Sequence, residues 1–288
     1  MALGALIVLL FCFFGTVGYF WYQLRIAMHR NLKITDETPE TYHLLYQSVT
    51  FQTSDGLRLS GWYIPTEKPQ AVVILIHGRH KKGKSLMLRH ALYLYENNYS
   101  TFLFDMRGYG DSEGKTCGFG EREWQDAVGA YDYIKSLPEN KHIKVGFFGI
   151  SLGAVVAILA AGKAKVGDFI IASVPFASHA SLFAKQIEKS PFFPKFFFRF
   201  ALQLAAFLTF GVVYYTANAL FVIHNITSPI FLIGATHDEE VNSQDAWKLF
   251  EKAQKPKEYW EAKTKHDVFA EEKEEFQSRM LRFLQLYS

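Results

Sequence analysis

One serine in this chain has the surroundings of a nucleophile. Ser151 is the centre of Gly149-Ile150-Ser151-Leu152-Gly153, between an apolar run that predicts a buried strand and one that predicts a buried helix. A Gly-x-Ser-x-Gly motif in that context is typical of a nucleophile elbow, a sharp turn that exposes the serine hydroxyl at the edge of a sheet. The N-terminus of the following helix favours a developing oxyanion there. The pattern indicates covalent acyl chemistry.

A serine hydroxyl needs a base to accept its proton, and the base needs an acid to orient it. Asp238 follows the apolar run 229–234, where a strand is predicted to end. His266 precedes the last predicted helix and is the only histidine after His237. Other carboxylates close to Asp238 are its rivals: Glu239, Glu240 and Asp245. Other histidines fit less well: His179 and His224, which precede the acid, and His237, which is beside it.

Five motifs together resemble the α/β-hydrolase superfamily over about residues 46–288. They are His77-Gly78, Asp105-x-Arg107-Gly108-x-Gly110-x-Ser112, Gly149-x-Ser151-x-Gly153, Gly234-x-x-x-Asp238-x-x-Val241 and His266. The second motif is similar to that of membrane-anchored serine hydrolases of the Bem46-like and monoacylglycerol-lipase-like branch, in which it is mostly structural. The chain departs from these relatives by Lys265 before the histidine, Asn242 after Val241, and a basic turn after Gly78.

The resemblance implies a chain order of serine, acid and histidine. It therefore assigns Ser151 as the nucleophile, Asp238 as the acid and His266 as the base. It also implies an oxyanion hole made of two backbone N–H groups, which belong to Leu152 and, in the loop after Gly78, to Arg79. No metal or organic cofactor is implied, because the histidines are not spaced as ligands.

Strands and helices alternate along residues 46–288. A hairpin is predicted at 46–64, and strands at 71–76, 100–104, 145–148, 167–174, 229–234 and 258–262. Helices are predicted at 81–97, 121–137, 244–253 and 271–286. This order predicts an α/β fold, a mostly parallel twisted sheet with helices on both faces.

The N-terminus predicts a membrane anchor at residues 1–23. Residues 2–22 carry no charge, and about 20 apolar residues suffice to span a bilayer as a helix. A cleavable signal peptide is the alternative, but no basic residue precedes Arg25. Basic residues after the anchor predict a catalytic domain on the cytoplasmic side. Residues 24–45 are interpreted as a juxtamembrane linker or packing segment.

An apolar insertion at about residues 176–228 lies where relatives of this family carry a lid. Residues 200–223 lack charge and are long enough for a second span. A span there would separate Ser151 from Asp238 and His266, so the segment must leave the membrane on the side that it entered. Two interpretations remain, a cover over the core or an interfacial lid with four basic residues at headgroup level: Lys185, Lys189, Lys195 and Arg199.

The sequence predicts a membrane-anchored serine hydrolase. Its expected substrate is a carboxylic ester of an acyl chain, lipid-like, such as a monoacylglycerol or a lysophospholipid. A net charge of +3 without a basic stripe argues against nucleic acid as a partner. The alternatives are a serine peptidase, an acyltransferase or thioesterase with the same triad, and a non-catalytic membrane scaffold.

Overall fold

A single sheet of eight strands organises the part of the chain that the structure describes. The structure is a computed structural model that describes residues 2–28, 37–188, 195–210 and 218–288. The strands are β1 (Gln47–Gln52), β2 (Arg58–Ile64), β3 (Val72–Ile76), β4 (Ser100–Phe104), β5 (Val145–Ile150), β6 (Ile170–Ser173), β7 (Ile230–Ala235) and β8 (Lys257–Ala262). Their order is β1-β2-β4-β3-β5-β6-β7-β8. The pairs β1–β2 and β2–β4 are antiparallel, and the others are parallel.

Helices cover both faces of the sheet. They are α1 (Ala2–Met28), α2 (Leu88–Glu96), α3 (Glu123–Ser136), α4 (Leu152–Ala164), α5 (His179–Glu188), α6 (Lys195–Phe210), α7 (Ala219–Val222), α8 (Asp245–Lys252), α9 (Val268–Glu271) and α10 (Lys273–Tyr287). One face packs on α3 and α4, the other on α2 and α10. All five residues of β3 are therefore buried, as a central parallel strand requires. The predicted α/β fold is confirmed.

The turn after β3 differs from the predicted helix at 81–97. Gly83 has φ +52°, a left-handed conformation that interrupts an α-helix. The backbone N–H of Lys84 bonds to the Asp105 carboxylate at 2.8 Å instead of continuing a helical ladder. A 3₁₀ turn, Gly83–Met87, follows, and α2 begins only at Leu88.

The N-terminal helix continues beyond the predicted anchor to Met28, whose carbonyl accepts the N–H of Cys117 at 2.8 Å. Its stretch Ile7–Ile26 is the one helix, among the described residues, that is long and apolar enough to cross a membrane, although a signal sequence has the same properties. Within the predicted linker 24–45, residues 29–36 lie outside the described part. Glu37 pairs with Lys82 at 3.1 Å and Leu44 is buried, so residues 37–44 pack on the body of the fold.

Candidate active site

Ser151 occupies a strained turn between β5 and α4. Its φ of 54° and ψ of −116° are rare for a residue with a side chain. The flanking glycines permit this turn, because a methyl group on Gly153 would overlap the carbonyl oxygen of Ile76, and one on Gly149 would overlap that of Gly153. Ser151 directly follows Ile150, the last residue of β5, and α4 begins at Leu152. The N–H groups of the first helical turn have no partner within the helix and are free to bind an oxyanion.

His266 is joined to Asp238 by a short hydrogen bond. Nδ1 of His266 lies 2.7 Å from Oδ2 of Asp238, whose side chain is 2% exposed. The other oxygen, Oδ1, accepts the N–H groups of Glu240 and Val241 at 2.8 and 2.9 Å. The loop after β7 thus fixes the carboxylate. Because an ionised carboxylate only accepts, Nδ1 carries the proton, and Nε2 of a neutral ring is left to act as a base.

The loop after β3 lies against the elbow. A Cβ on Gly78 would be 3.5 Å from Cβ of Ser151, so the residue after it, Arg79, is brought next to the nucleophile. His77 is completely buried and holds this loop by donating Nδ1–H to the Gly78 carbonyl at 2.7 Å. Its Nε2 accepts the N–H of Met106 at 3.2 Å. Burial lowers the pKa of His77, which keeps the ring neutral and suits both bonds.

Comparison with known proteins identifies the family. The family model described as Serine aminopeptidase, S33, matches residues 67–210, which is half of the chain. The protein is an α/β-hydrolase. The uncharacterised protein YfhR of Salmonella typhi is 29% identical over 220 residues, covering 73% of the hydrolase and 70% of YfhR. The polyketide transferase ATR5 of Stachybotrys chlorohalonatus is 26% identical over 131 residues, 45% of the hydrolase and 44% of its own length.

Solved structures share the fold. An esterase of Pyrococcus furiosus, Pf2001, superposes with a TM-score of 0.75 at 24% identity, covering 90% of the hydrolase and 98% of the esterase. The α/β hydrolase GrgF from Penicillium gives a TM-score of 0.67 at 22% identity, with coverages of 85% and 99%. At such identities the likeness shows the fold alone. The narrower resemblance to the Bem46-like branch stays a prediction.

Ser151 and His266 of the hydrolase line one cavity of about 490 Å³. Its walls are partly apolar and aromatic, formed by Leu86, His90, Ile150, Phe269 and Phe276. Its other lining residues include six charged ones: Arg79, Arg89, Glu240, Lys265, Asp267 and Glu271. Burial lowers the pKa of His90 to about 3, so this histidine is neutral. Among the residues that the structure describes, none that lines this cavity belongs to the predicted lid segment 176–228. No group of three metal-ligating side chains occurs within the described ranges of the chain.

The Asp105–Ser112 block braces the hydrolase near this cavity. The Ser112 hydroxyl donates to the Asp105 carbonyl at 2.6 Å and accepts the N–H of Ser60 at 2.9 Å. Arg107 is buried and pairs with Asp126 and Asp55. Its role here is therefore structural.

Two residues near the site have positions that the sequence does not predict. Lys84 is one of the basic residues after Gly78, yet it is 2% exposed and its ammonium lies 2.5 Å from the buried Asp105. A basic run indicates a solvated loop, and only the tertiary contact shows the pair. Glu240 is a rival acid by its place in the sequence, but its Oε2 lies 3.8 Å from Nε2 of His266, on the side of the ring opposite Asp238. Its spacing in the sequence gives no signal for this position.

The charges around His266 predict the pH profile of the hydrolase. Burial lowers the pKa of His266, but the hydrogen bond and charge of Asp238 raise it by more, and Glu240 adds to the rise, so the pKa lies above its ordinary value. Because the base must be neutral, kcat/KM should fall as the pH decreases through this pKa. Glu240→Gln removes one negative charge, so we expect the acid limb to move to lower pH.

The measurement is kcat/KM against pH for wild type, Glu240→Gln and the matched control Glu239→Gln. The control should leave the acid limb nearly unchanged, since the carboxylates that raise the His266 pKa are those of Asp238, Glu240 and Asp267. The shift should shrink at high salt, because the Glu240 side chain is 68% exposed and its charge is screened. An acid limb that moves to higher pH in Glu240→Gln contradicts the placement of this carboxylate.

Proposed function

We propose that the protein is a serine esterase whose catalytic triad consists of Ser151, His266 and Asp238. The observation that carries this proposal is the hydrogen bond from His266 Nδ1 to the buried Asp238, with His266 and the strained Ser151 on one cavity. Fold and family support hydrolysis in general. The roles of the three side chains rest on geometry and chemistry.

In the proposed mechanism, Nε2 of His266 accepts the proton of the Ser151 hydroxyl while Oγ attacks the ester carbonyl. Asp238 stabilises the imidazolium that forms. The backbone N–H groups of Leu152 and Arg79 bind the oxyanion. His266 then protonates the leaving alcohol, and an acyl-enzyme remains. Water, deprotonated by His266, attacks this ester and releases the acid, which restores Ser151.

We further propose that α1 anchors the enzyme in a membrane and that the substrate is lipid-like. The apolar stretch Ile7–Ile26 supports an anchor, and the aromatic cavity wall supports an acyl chain as ligand. Arg25 and the basic residues after it favour the cytoplasmic side for the catalytic domain. Digestion by an external protease tests this side, since the catalytic domain should be protected in right-side-out vesicles.

The test of the activity uses the full-length enzyme in vesicles with p-nitrophenyl esters from acetate to palmitate. We expect release of p-nitrophenol, with kcat/KM rising over the medium acyl lengths as the chain fills the apolar cavity wall. Matched p-nitroanilides separate the alternatives, because a peptidase would cleave the anilides. Transfer of the acyl group to an added alcohol in preference to water would indicate a transferase. No turnover of any ester or anilide would favour the scaffold.

A further inference from the structure

The insertion contacts the N-terminal helix through a cluster of phenylalanines. The ring centroid of Phe13 on α1 lies 5.3 Å from that of Phe197 and 5.7 Å from that of Phe200 on α6. Phe20 of α1 lies 6.1 Å from Phe198. Between these rings, Val17 of α1 is buried. The two helices therefore pack as one unit, and the depth of α1 in a membrane determines that of α6.

The contacts lie well inside the candidate span. Phe13 is six residues from Ile7, and Phe20 is six residues from Ile26. At 1.5 Å per residue, the stretch Ile7–Ile26 is about 30 Å long, which matches the thickness of the hydrocarbon core. Phe13 and Phe20 each lie about 9 Å from the nearer end of this stretch. If α1 spans the bilayer as proposed above, the phenylalanines of α6 that contact it lie in hydrocarbon as well.

The outward face of α6 suits lipid. Phe196 is 83% exposed, and Phe200 and Leu208 are each 58% exposed. The inward face carries small residues, buried Ala201, Ala205 and Ala206, which allow close helix approach. The charged residues of α6, Lys195 and Arg199, are confined to its first five positions.

One threonine hydroxyl on each helix is satisfied without water. Thr209 of α6 donates to the carbonyl of Ala205 at 2.7 Å, and Thr16 of α1 donates to that of Cys12 at 2.8 Å. Such bonds to the preceding turn remove the cost of placing a hydroxyl in hydrocarbon.

The two ends of the insertion lie next to each other on the body of the fold. The N–H of Leu220, in α7, bonds to the carbonyl of Ala177, before α5, at 3.2 Å. The N–H of Ala177 bonds to the buried Asp245 carboxylate at 3.0 Å. With 16 residues, α6 is about 24 Å long and too short to cross about 30 Å of hydrocarbon. A segment of this length with both ends on the same side enters a bilayer and returns.

We propose that α6 is a re-entrant membrane helix that inserts beside α1, so that the two form one lipid-embedded unit. The partner of this surface is the acyl-chain region of a bilayer. The proposal rests on the anchoring role of α1, and it gives the insertion a function other than covering the substrate. That agrees with a Ser151 cavity that no described residue of 176–188, 195–210 or 218–228 lines.

The test measures the depth of spin labels in the full-length protein. Cys12→Ser leaves the buried Cys117, and single cysteines are then introduced as Phe14→Cys, Phe200→Cys, Leu208→Cys and Glu274→Cys. All four positions are exposed, and the label at position 208 leaves every phenylalanine contact between α1 and α6 intact. In phosphatidylcholine–phosphatidylglycerol vesicles, accessibility to oxygen is compared with accessibility to a water-soluble nickel chelate. Hydrolysis of a water-soluble ester confirms that each variant is folded.

We expect the labels at positions 200 and 208 to match the label at position 14, with an oxygen-to-nickel ratio several-fold above that at position 274. Labels at 200 and 208 that match position 274, while position 14 is in lipid, would overturn the proposal and leave the anchor intact. Labels at 200 and 208 shielded from both reagents would indicate a second protein copy and also overturn it. A water-exposed label at position 14 would refute the anchor itself, and the re-entrant helix with it.

Discussion

Ser151→Ala is expected to lower kcat for ester hydrolysis by about 10⁴-fold or more, because it removes the hydroxyl that is proposed to form the acyl-enzyme. The strained backbone and the short strand-to-helix turn exist to expose this one hydroxyl. A loss of 10⁴-fold corresponds to about 5 kcal/mol of transition-state stabilisation. The measurement is kcat on a p-nitrophenyl ester, together with covalent labelling by a fluorophosphonate.

The matched control is Ser173→Ala. Ser173 ends β6 and lines the same cavity, but it lies outside the elbow. Wild type and Ser173→Ala should both react with the fluorophosphonate, and Ser151→Ala should not. Equal labelling of wild type and Ser151→Ala would refute Ser151 as the nucleophile.

Asp238→Asn should lower kcat by about 10⁴-fold with little loss of folded protein. An amide NH₂ in the place of Oδ2 no longer accepts the Nδ1 proton, so the ring favours the tautomer with the proton on Nε2, which is unable to act as a base. The remaining amide oxygen keeps the bonds from the Glu240 and Val241 N–H groups, which preserves the loop. The measurement is kcat beside thermal unfolding of each variant.

Glu239→Gln is the control for this variant, because Glu239 is the adjacent carboxylate and the nearest rival in the sequence. The hydrogen bond that orients His266 is made to Asp238, not to Glu239. We therefore expect kcat close to that of wild type. Full activity in Asp238→Asn, or a large loss in Glu239→Gln, would contradict the assignment of the acid.

Much of this protein is determined by local pattern. The run Val72–Ile76 is apolar at every position, and such a run of β-branched and aliphatic residues predicts a strand covered on both faces. The glycines at 149 and 153 predict the elbow, because only residues without a side chain fit the close approach of neighbouring backbone. Strand and helix order then predicts the α/β fold, which structure and family match confirm.

Tertiary structure alone decided several other features, since each depends on groups far apart in the chain. Lys84 belongs to a basic turn, but it forms a buried ion pair with Asp105, the residue directly after β4. Glu240 lies two residues after Asp238, and only the turn between β7 and α8 places its carboxylate near Nε2 of His266.

The insertion gives the clearest contrast. Hydropathy describes residues 200–223 as uncharged and apolar, which fits a span, a core helix and a lid equally well. The folded chain adds two contacts that hydropathy does not show. The helix α6 packs on α1 through phenylalanines, and the bond between Leu220 and Ala177 brings the two ends of the insertion together. The sequence by itself determined the composition of each element, its period and the residue types of the site. Which apolar face packs against which neighbour depends on the folded chain. The hydrophobic effect is non-directional, so the partner of each face is selected by the close packing of the fold.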